Sequence, residues 1–266
     1  MHRIQRYIEL IRLFFRLSLM RQMAYRPHFF MMVLGKIIRM GLLFFFFQAI
    51  FFKVNRIGQW SFDQVLLLFA TFHIVDYLMS ITFQRNLAFY LTRRVHTGEL
   101  DERMLLPVPL LFLISFEELD MIDFFSFLPC LGFLLYVGYR LDFAFSALQV
   151  LSYTLLVLNA LLFLYPVILI IATTCFWTTQ AFGLGIIFDN LLRIGRYPLD
   201  IFEGFWKLLF VYFLPLVLVA QVPAQALIGM LSLPFTVYSI AVSGLFLVAA
   251  VRFWRWGLKH YQSASS

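Results

Sequence analysis

A chain of 266 residues that is 62% hydrophobic and 19% aromatic, with 34 Phe, would expose too much apolar surface to remain in water. Its 13% of charged residues and net charge of +7 are too sparse to coat a soluble domain. Apolar runs such as 42–52 and 155–173 are continuous rather than alternating, which excludes a β-barrel and leaves helices as the backbone that satisfies itself in lipid. The expectation is an all-α polytopic membrane protein with about six transmembrane helices.

At the N-terminus, Gln5, Glu9, Arg12 and Arg16 recur on one face of a helix while Ile4, Tyr7, Ile8, Ile11, Phe14 and Phe15 fill the other. That pattern predicts an amphipathic helix lying in the membrane interface, with membrane lipid as its partner and its arginines toward anionic headgroups. Arginines interrupt the first apolar run and no small-residue cleavage site follows, so no cleavable signal peptide is expected. Pro27 should separate this interface helix, residues 1–26, from a single transmembrane domain, residues 27–266.

Six spans are expected at about 29–53, 62–82, 113–138, 143–172, 178–194 and 231–253, each near the roughly 20 residues a helix needs to cross. Cys130 and Cys175 both fall inside apolar runs, so they read as packing residues rather than as a disulfide or metal site. Lysine and arginine set the orientation. Eight lie in residues 1–39 against the lone acid Glu9, four more are Arg85, Arg93, Arg94 and Arg103, and Arg252, Arg255 and Lys259 close the chain. Lys53, Arg56, Arg140, Arg193, Arg196 and Lys207 are left for the other side, which puts both termini and the segment 83–106 in the cytoplasm.

That segment is a charged insert between apolar runs. A basic, helix-compatible stretch from Gln84 to Val95 precedes a helix stop at Gly98, then Glu99, Asp101 and Glu102, an apolar knob from Met104 to Leu106, and Pro107 and Pro109. Two readings stay open at this level: a short helix that fits a groove on a soluble partner, and a solvated connecting loop. Between Arg196 and Gly229, prolines 198, 215 and 223 limit two apolar pieces too short to cross, as in a re-entrant hairpin at 196–229; one span kinked by proline is the alternative.

Charges inside spans are costly and need partners. Arg39 and Asp76 each lie about 15 residues below the outer end of their spans, at similar depth by the 1.5 Å rise per residue, so an intramembrane Arg39–Asp76 ion pair is expected. His73, three residues before Asp76, is expected to be hydrogen-bonded. Glu117, Asp120 and Asp123, with Glu118, should line one side of a helix and pair with Lys36, Arg39 or the N-terminal arginines. Asp189, Asn190, Arg193 and Arg196 either contact a polar headgroup or snorkel and pair.

Taken in order, several short motifs resemble the membrane subunits of ABC transporters of the type-2 exporter class, in particular a bacterial six-span branch. They are Gly98-Glu99-Leu100-Asp101 with Leu105-Leu106-Pro107, then Phe176-Trp177, then Arg196-Tyr197-Pro198 with Ile201-Phe202, Pro215 and Pro223. The resemblance extends over nearly the whole chain. It implies a permease subunit in the cytoplasmic (inner) membrane: two such subunits, identical or related, forming the translocation path, above two copies of a separate ABC ATP-binding subunit. Under it, 83–106 is the coupling helix, with Arg94, Gly98, Glu99, Leu100, Asp101 and Leu105 as ATPase-coupling residues. Tyr197, Pro198, Pro215 and Pro223 would shape an outer hairpin capping the exit.

The chain itself carries no Gly-x-x-x-x-Gly-Lys-Ser/Thr; Gly35-Lys36-Ile37 lacks the upstream glycine and the hydroxyl. No cofactor is expected on it, ATP and Mg belonging to the partner, and no nucleic acid partner is expected. The competing class is a polytopic membrane enzyme acting on lipid-linked substrates, with the Glu117–Asp123 carboxylates and His73 as its machinery.

Overall fold

The computed structural model describes residues 2–141, 145–178 and 181–261. Residues 143–144 of the fourth expected span and 179–180 of the fifth lie outside them. Among the described residues, five stretches are long and apolar enough to cross a membrane: Gln5–Phe51, Phe62–Gln84, Met121–Arg140, Ala147–Phe176 and Leu233–His260. The chain is an all-α polytopic membrane protein.

Helices in lipid gain little from hydrophobicity against one another, so close fit and the few polar groups order them. The central helix is α3 (Phe62–Met79), started by a capping box in which the Ser61 N–H donates to Gln64 Oε1 at 2.9 Å. Packed against it are α7 (Met121–Arg140) and α8 (Ala147–Thr173), and α8 carries α12 (Leu233–His260) along its length. Gly257 permits that approach: a Cβ there would lie 2.7 Å from Thr173 Cγ2 and 2.9 Å from Phe176 Cδ2. Cys130 and Cys175 are buried free thiols in this packing.

Three boundaries differ from expectation. The leading helix α1 (His2–Gln22) and the first spanning helix α2 (Arg26–Phe51) are joined by one 3-10 turn at Met23–Tyr25, and the backbone departs from helix at Tyr25 (φ −114°, ψ 78°). Pro27 therefore sits inside α2's first turn, where its missing N–H leaves no bond unmade. The third span starts at Met121 rather than 113, because a break after α6 (Leu110–Phe116) interposes Glu117 and Glu118.

The fifth expected span is represented by α9 (Ala181–Leu192), whose 12 residues extend about 18 Å, well short of the hydrocarbon core. The chain nevertheless continues along α3. Asp189 meets Gln84 at 2.8 Å, Gly195 lies against Phe72, the Tyr197 ring is 5.9 Å from Phe47, and Asp200 accepts from Trp60 Nε1 at 2.8 Å. Gly195 and Pro198 dissolve the helix into 3-10 turns at Arg193–Arg196 and Leu199–Ile201, so helix length alone understates how far the segment reaches.

In 196–229 the longest helical piece is Gly204–Phe213, formed by α10 (Gly204–Leu208) and a π turn. It ends at Leu214 (φ −115°, ψ 78°) and Pro215. A second arm, Leu216–Leu218 and then α11 (Gln221–Leu227), is buried against α3 and α8, whereas Phe205, Trp206, Leu208 and Phe213 of the first arm are exposed.

Candidate functional site

The charged insert is organised around one buried guanidinium. After Met79 the helix runs through two π turns, Ser80–Gln84 and Asn86–Tyr90, into α4 (Leu91–Thr97). Such turns disturb the regular carbonyl ladder. Fully buried Asn86 donates through Nδ2 to the carbonyls of Thr82 (3.2 Å), Ser115 (3.1 Å) and Glu118 (2.6 Å), and its Oδ1 accepts the Glu118 N–H at 3.2 Å. This one amide ties the root of the insert to the break before α7. Gly98, at φ 75°, then stops α4 and opens α5 (Glu99–Met104).

Arg94 is 2% exposed, with Nη2 2.7 Å from Glu117 and 3.8 Å from Glu118. Burial pushes its guanidinium below the ordinary value, against the opposing pull of Glu117. Arg103 brackets the same Glu117 carboxylate at 3.2 and 3.3 Å and donates to the Glu99 carbonyl at 3.0 Å. Nearby, burial first and the Glu118 carboxylate second raise the Tyr90 hydroxyl.

From the opposite side, α1 clasps the same break. Arg21 reaches Glu118 at 2.7 Å, Ser18 Oγ accepts the Leu119 N–H at 3.0 Å, and the Gln22 amide bonds Leu119 O (2.8 Å) and the Met121 N–H (3.0 Å). Asp120 accepts Arg85 at 2.7 Å while capping α7 through the N–H groups of Ile122 (3.0 Å) and Asp123 (3.2 Å). Asp123 pairs with Lys36 of α2.

The acidic cluster is thus a junction rather than one face of a helix. Glu117 and Glu118 occupy the break, and helical spacing does not apply to them. Lys36 and Arg21 are among the expected partners, whereas Arg85, Arg94 and Arg103 come from the insert and Arg39 takes no part.

The insert residues named from sequence divide by what they face. Arg94 and Leu100 are buried and Gly98 shapes the turn. Glu99 is held by Arg93 at 3.6 Å and Arg103 at 4.0 Å. Asp101 faces Tyr261, whose hydroxyl is pushed up to about 12 by burial and then by that carboxylate. What points outward is Leu105, 86% exposed, with Met104, Leu106 and Glu102. Sequence reasoning missed Glu102 and Asn86. For Glu102 a signal existed: Leu100 is the apolar residue of α5's first turn, marks its inner face, and puts position 102 on the opposite one. No local pattern distinguishes Asn86.

A second feature is a cleft of about 250 Å³ between α2, α3 and the end of α9. Lys36 and Arg39 stand on one wall, Arg193 and Arg196 on the other, and His73, Asp76 and Gln84 on the floor. Arg39 and Asp76 share this space without closing an ion pair among the described residues, and the other α2 cation, Lys36, pairs with Asp123. His73 is 2% exposed, yet neither ring nitrogen has a hydrogen-bond partner. Its ring lies edge-on to Phe69 at 4.5 Å and stacks on Tyr77 at 5.8 Å, so the expected hydrogen bond is replaced by aromatic packing.

The hairpin residues lie apart from both features. Tyr197 packs on Phe47, Pro198, Pro215 and Pro223 are buried, and Gln221 Oε1 accepts the Leu199 N–H at 3.0 Å to join the two arms.

Spanning helices interrupted by a braced, charged insert define a multi-pass membrane protein. Residues 37–265 match the model of the family described as ABC-2 family transporter protein, and the chain belongs to that family. It is the membrane component, the permease, of an ABC-2 transporter. Comparison with curated proteins finds no match.

Proposed function

We propose that the chain is the permease subunit of an ATP-driven exporter. It pairs with a second permease, identical or related, in a bacterial inner membrane, with both termini in the cytoplasm. Two copies of a separate ATP-binding subunit dock on 83–106, and ATP and Mg are held there rather than on this chain. Nucleotide-driven closure of those subunits pushes α5, and the path reopens outward.

The observation that carries this reading is the bracing behind an outward apolar knob. Leu105 and Glu102 face away from the protein, while Arg94, Arg103 and Asn86 lock α4 and α5 to the ends of α3 and α7. A force on the knob therefore reaches two central helices through direct contacts. The enzyme reading would need free carboxylates, and Glu117, Glu118, Asp120 and Asp123 are each held by a cation.

The test is co-expression of the tagged chain with ATP-binding subunits encoded beside it and purification in mild detergent. A stoichiometric ATPase should co-purify and fall at least about tenfold in Leu105→Asp, the loss expected for a buried apolar anchor. A chain that purifies alone, or an ATPase indifferent to Leu105→Asp and Glu102→Lys, would sink the docking assignment and bring back the membrane enzyme.

A further inference from the structure

We propose that the cleft between α2, α3 and the end of α9 binds the oxyanion headgroup, a phosphate or carboxylate, of an amphiphile that reaches it sideways from the lipid. The cleft's place on a transport path rests on the permease reading; its capacity to bind an oxyanion does not.

The first argument is charge. Arg39 and Arg193, both exposed, and half-buried Arg196 line one cleft, and no ion pair within 4.0 Å is formed by any of them among the described residues. Two carboxylates face them, and one of these, Asp189, already accepts from Gln84 Nε2 at 2.8 Å. Lys36 adds a fourth cation, balanced by Asp123. Counted with Asp123, four cations face three carboxylates, and the one positive charge left over is what an anionic occupant would neutralise. Guanidinium groups suit it, because their planar donors match carboxylate and phosphate oxygens in pairs.

The second argument is unmet hydrogen bonding. Among the described residues, both nitrogens of buried His73 lack hydrogen-bond partners, and so does the Nε atom of half-buried Arg196, whose guanidinium stacks 5.1 Å from the Tyr197 ring. Buried polar groups left unpaired mark a place where a partner is missing. These groups sit on different elements that line the cleft, and an oxyanion would offer an acceptor to one imidazole N–H and to the Arg196 Nε–H.

Size and surroundings select an amphiphile. The cleft of about 250 Å³ holds roughly eight waters at about 30 Å³ each, room for a headgroup and not for an acyl chain. The two helices that wall the cleft, α2 and α9, also expose Leu34, Ile38, Ile186 and Ile187, apolar side chains suited to lipid.

The test uses the purified chain in phosphatidylcholine nanodiscs doped with phosphatidylglycerol, with retained lipid counted by native mass spectrometry. Phosphatidylglycerol should be retained over phosphatidylcholine by about tenfold, and the Arg39→Gln/Arg193→Gln double variant should lose that preference. Arg12→Gln/Arg16→Gln, on the interface helix, should keep it. Displacement by millimolar inorganic phosphate supports the site with the oxyanion alone as ligand. Retention against phosphate supports it with the lipid as ligand. Equal retention of the two lipids by the unaltered protein overturns the proposal whatever the variants do, and so does an undiminished preference in a well-folded double variant. ATPase co-purification reads the permease proposal separately, so the two can fail independently.

Discussion

The insert at 83–106 and the hairpin at 196–229 both interrupt spanning helices, and they are held by opposite chemistry. The insert is fastened by ions: Arg94, Arg103, Arg85 and Arg21 converge on Glu117, Glu118 and Asp120. The hairpin is fastened by fit: residues from Leu216 to Ala224 are buried, and its polar ties are few, chiefly Gln221 to Leu199 and Trp60 to Asp200. The difference shows how the surrounding medium selects a fastening. Glu117 and Glu118 keep part of their hydration while paired, and buried Asp120 also accepts the N–H groups that start α7, so the network is tolerable near water. A short arm surrounded by α3 and α8 has no such relief and is built from aliphatic side chains.

Variants can break this contrast, and the largest effect is expected where the ionic fastening is buried. Glu117→Ala leaves Arg94 with only Glu118 at 3.8 Å and should cost about 3 kcal/mol, read as a lower Tm and lost membrane abundance. The double variant Arg94→Met/Glu117→Met should regain most of that loss, since an apolar pair needs no counterion. If the double variant is as damaged as the single, the stranded-charge explanation is wrong.

Leu216→Ala in the hairpin should cost about 2 kcal/mol through the space it leaves. Unlike the insert variant, its penalty should not change with salt, and it should leave ATPase co-purification intact. Gly98→Ala puts a side chain at φ 75° and should cost about 1 kcal/mol, with Gly98→Asn milder. The measurement is Tm beside coupled ATPase rate, and equal behaviour of the two variants would argue against backbone strain. Arg21→Gln removes a pair whose cation is 64% exposed and should cost no more than about 0.5 kcal/mol, and less at high salt. Exchanging Arg39 and Asp76, which share the cleft without a direct pair, should give a coupling energy smaller than that of Arg94 with Glu117 in a double-mutant cycle; an equal or larger coupling would restore the direct pair.

Much of the architecture was legible because hydropathy is a local sum. The runs beginning near 62, 147 and 233 announce their helices, and Gly98 ends α4 where its type predicts. The start of the third span was not legible, since Phe116 to Asp123 reads as helix until α1 and Asn86 are seen to bond the broken backbone there. The reach of 181–200 was hidden for a related reason: its short helix is completed by 3-10 turns held by contacts with distant residues such as Phe47, Phe72 and Gln221. In the insert, charge type was legible and direction was not. Glu99 and Asp101 look as available as Glu102 until Arg93 and Tyr261 are found beside them and Glu102, which also lies near Arg103, is seen to stay 82% exposed against 33% for Glu99.

What the sequence by itself determined is a membrane-embedded, all-helical chain with a charged insert and proline-limited short pieces, because apolar run length, glycine and proline act over a few residues. Only the tertiary structure decided which cation meets which carboxylate, which face of α5 looks outward, and that Arg39, Arg193 and Arg196 share a cleft with His73. Those outcomes depend on distances between segments up to about a hundred and sixty positions apart, and ionic and hydrogen-bonding choices are settled by such distances within a few ångströms.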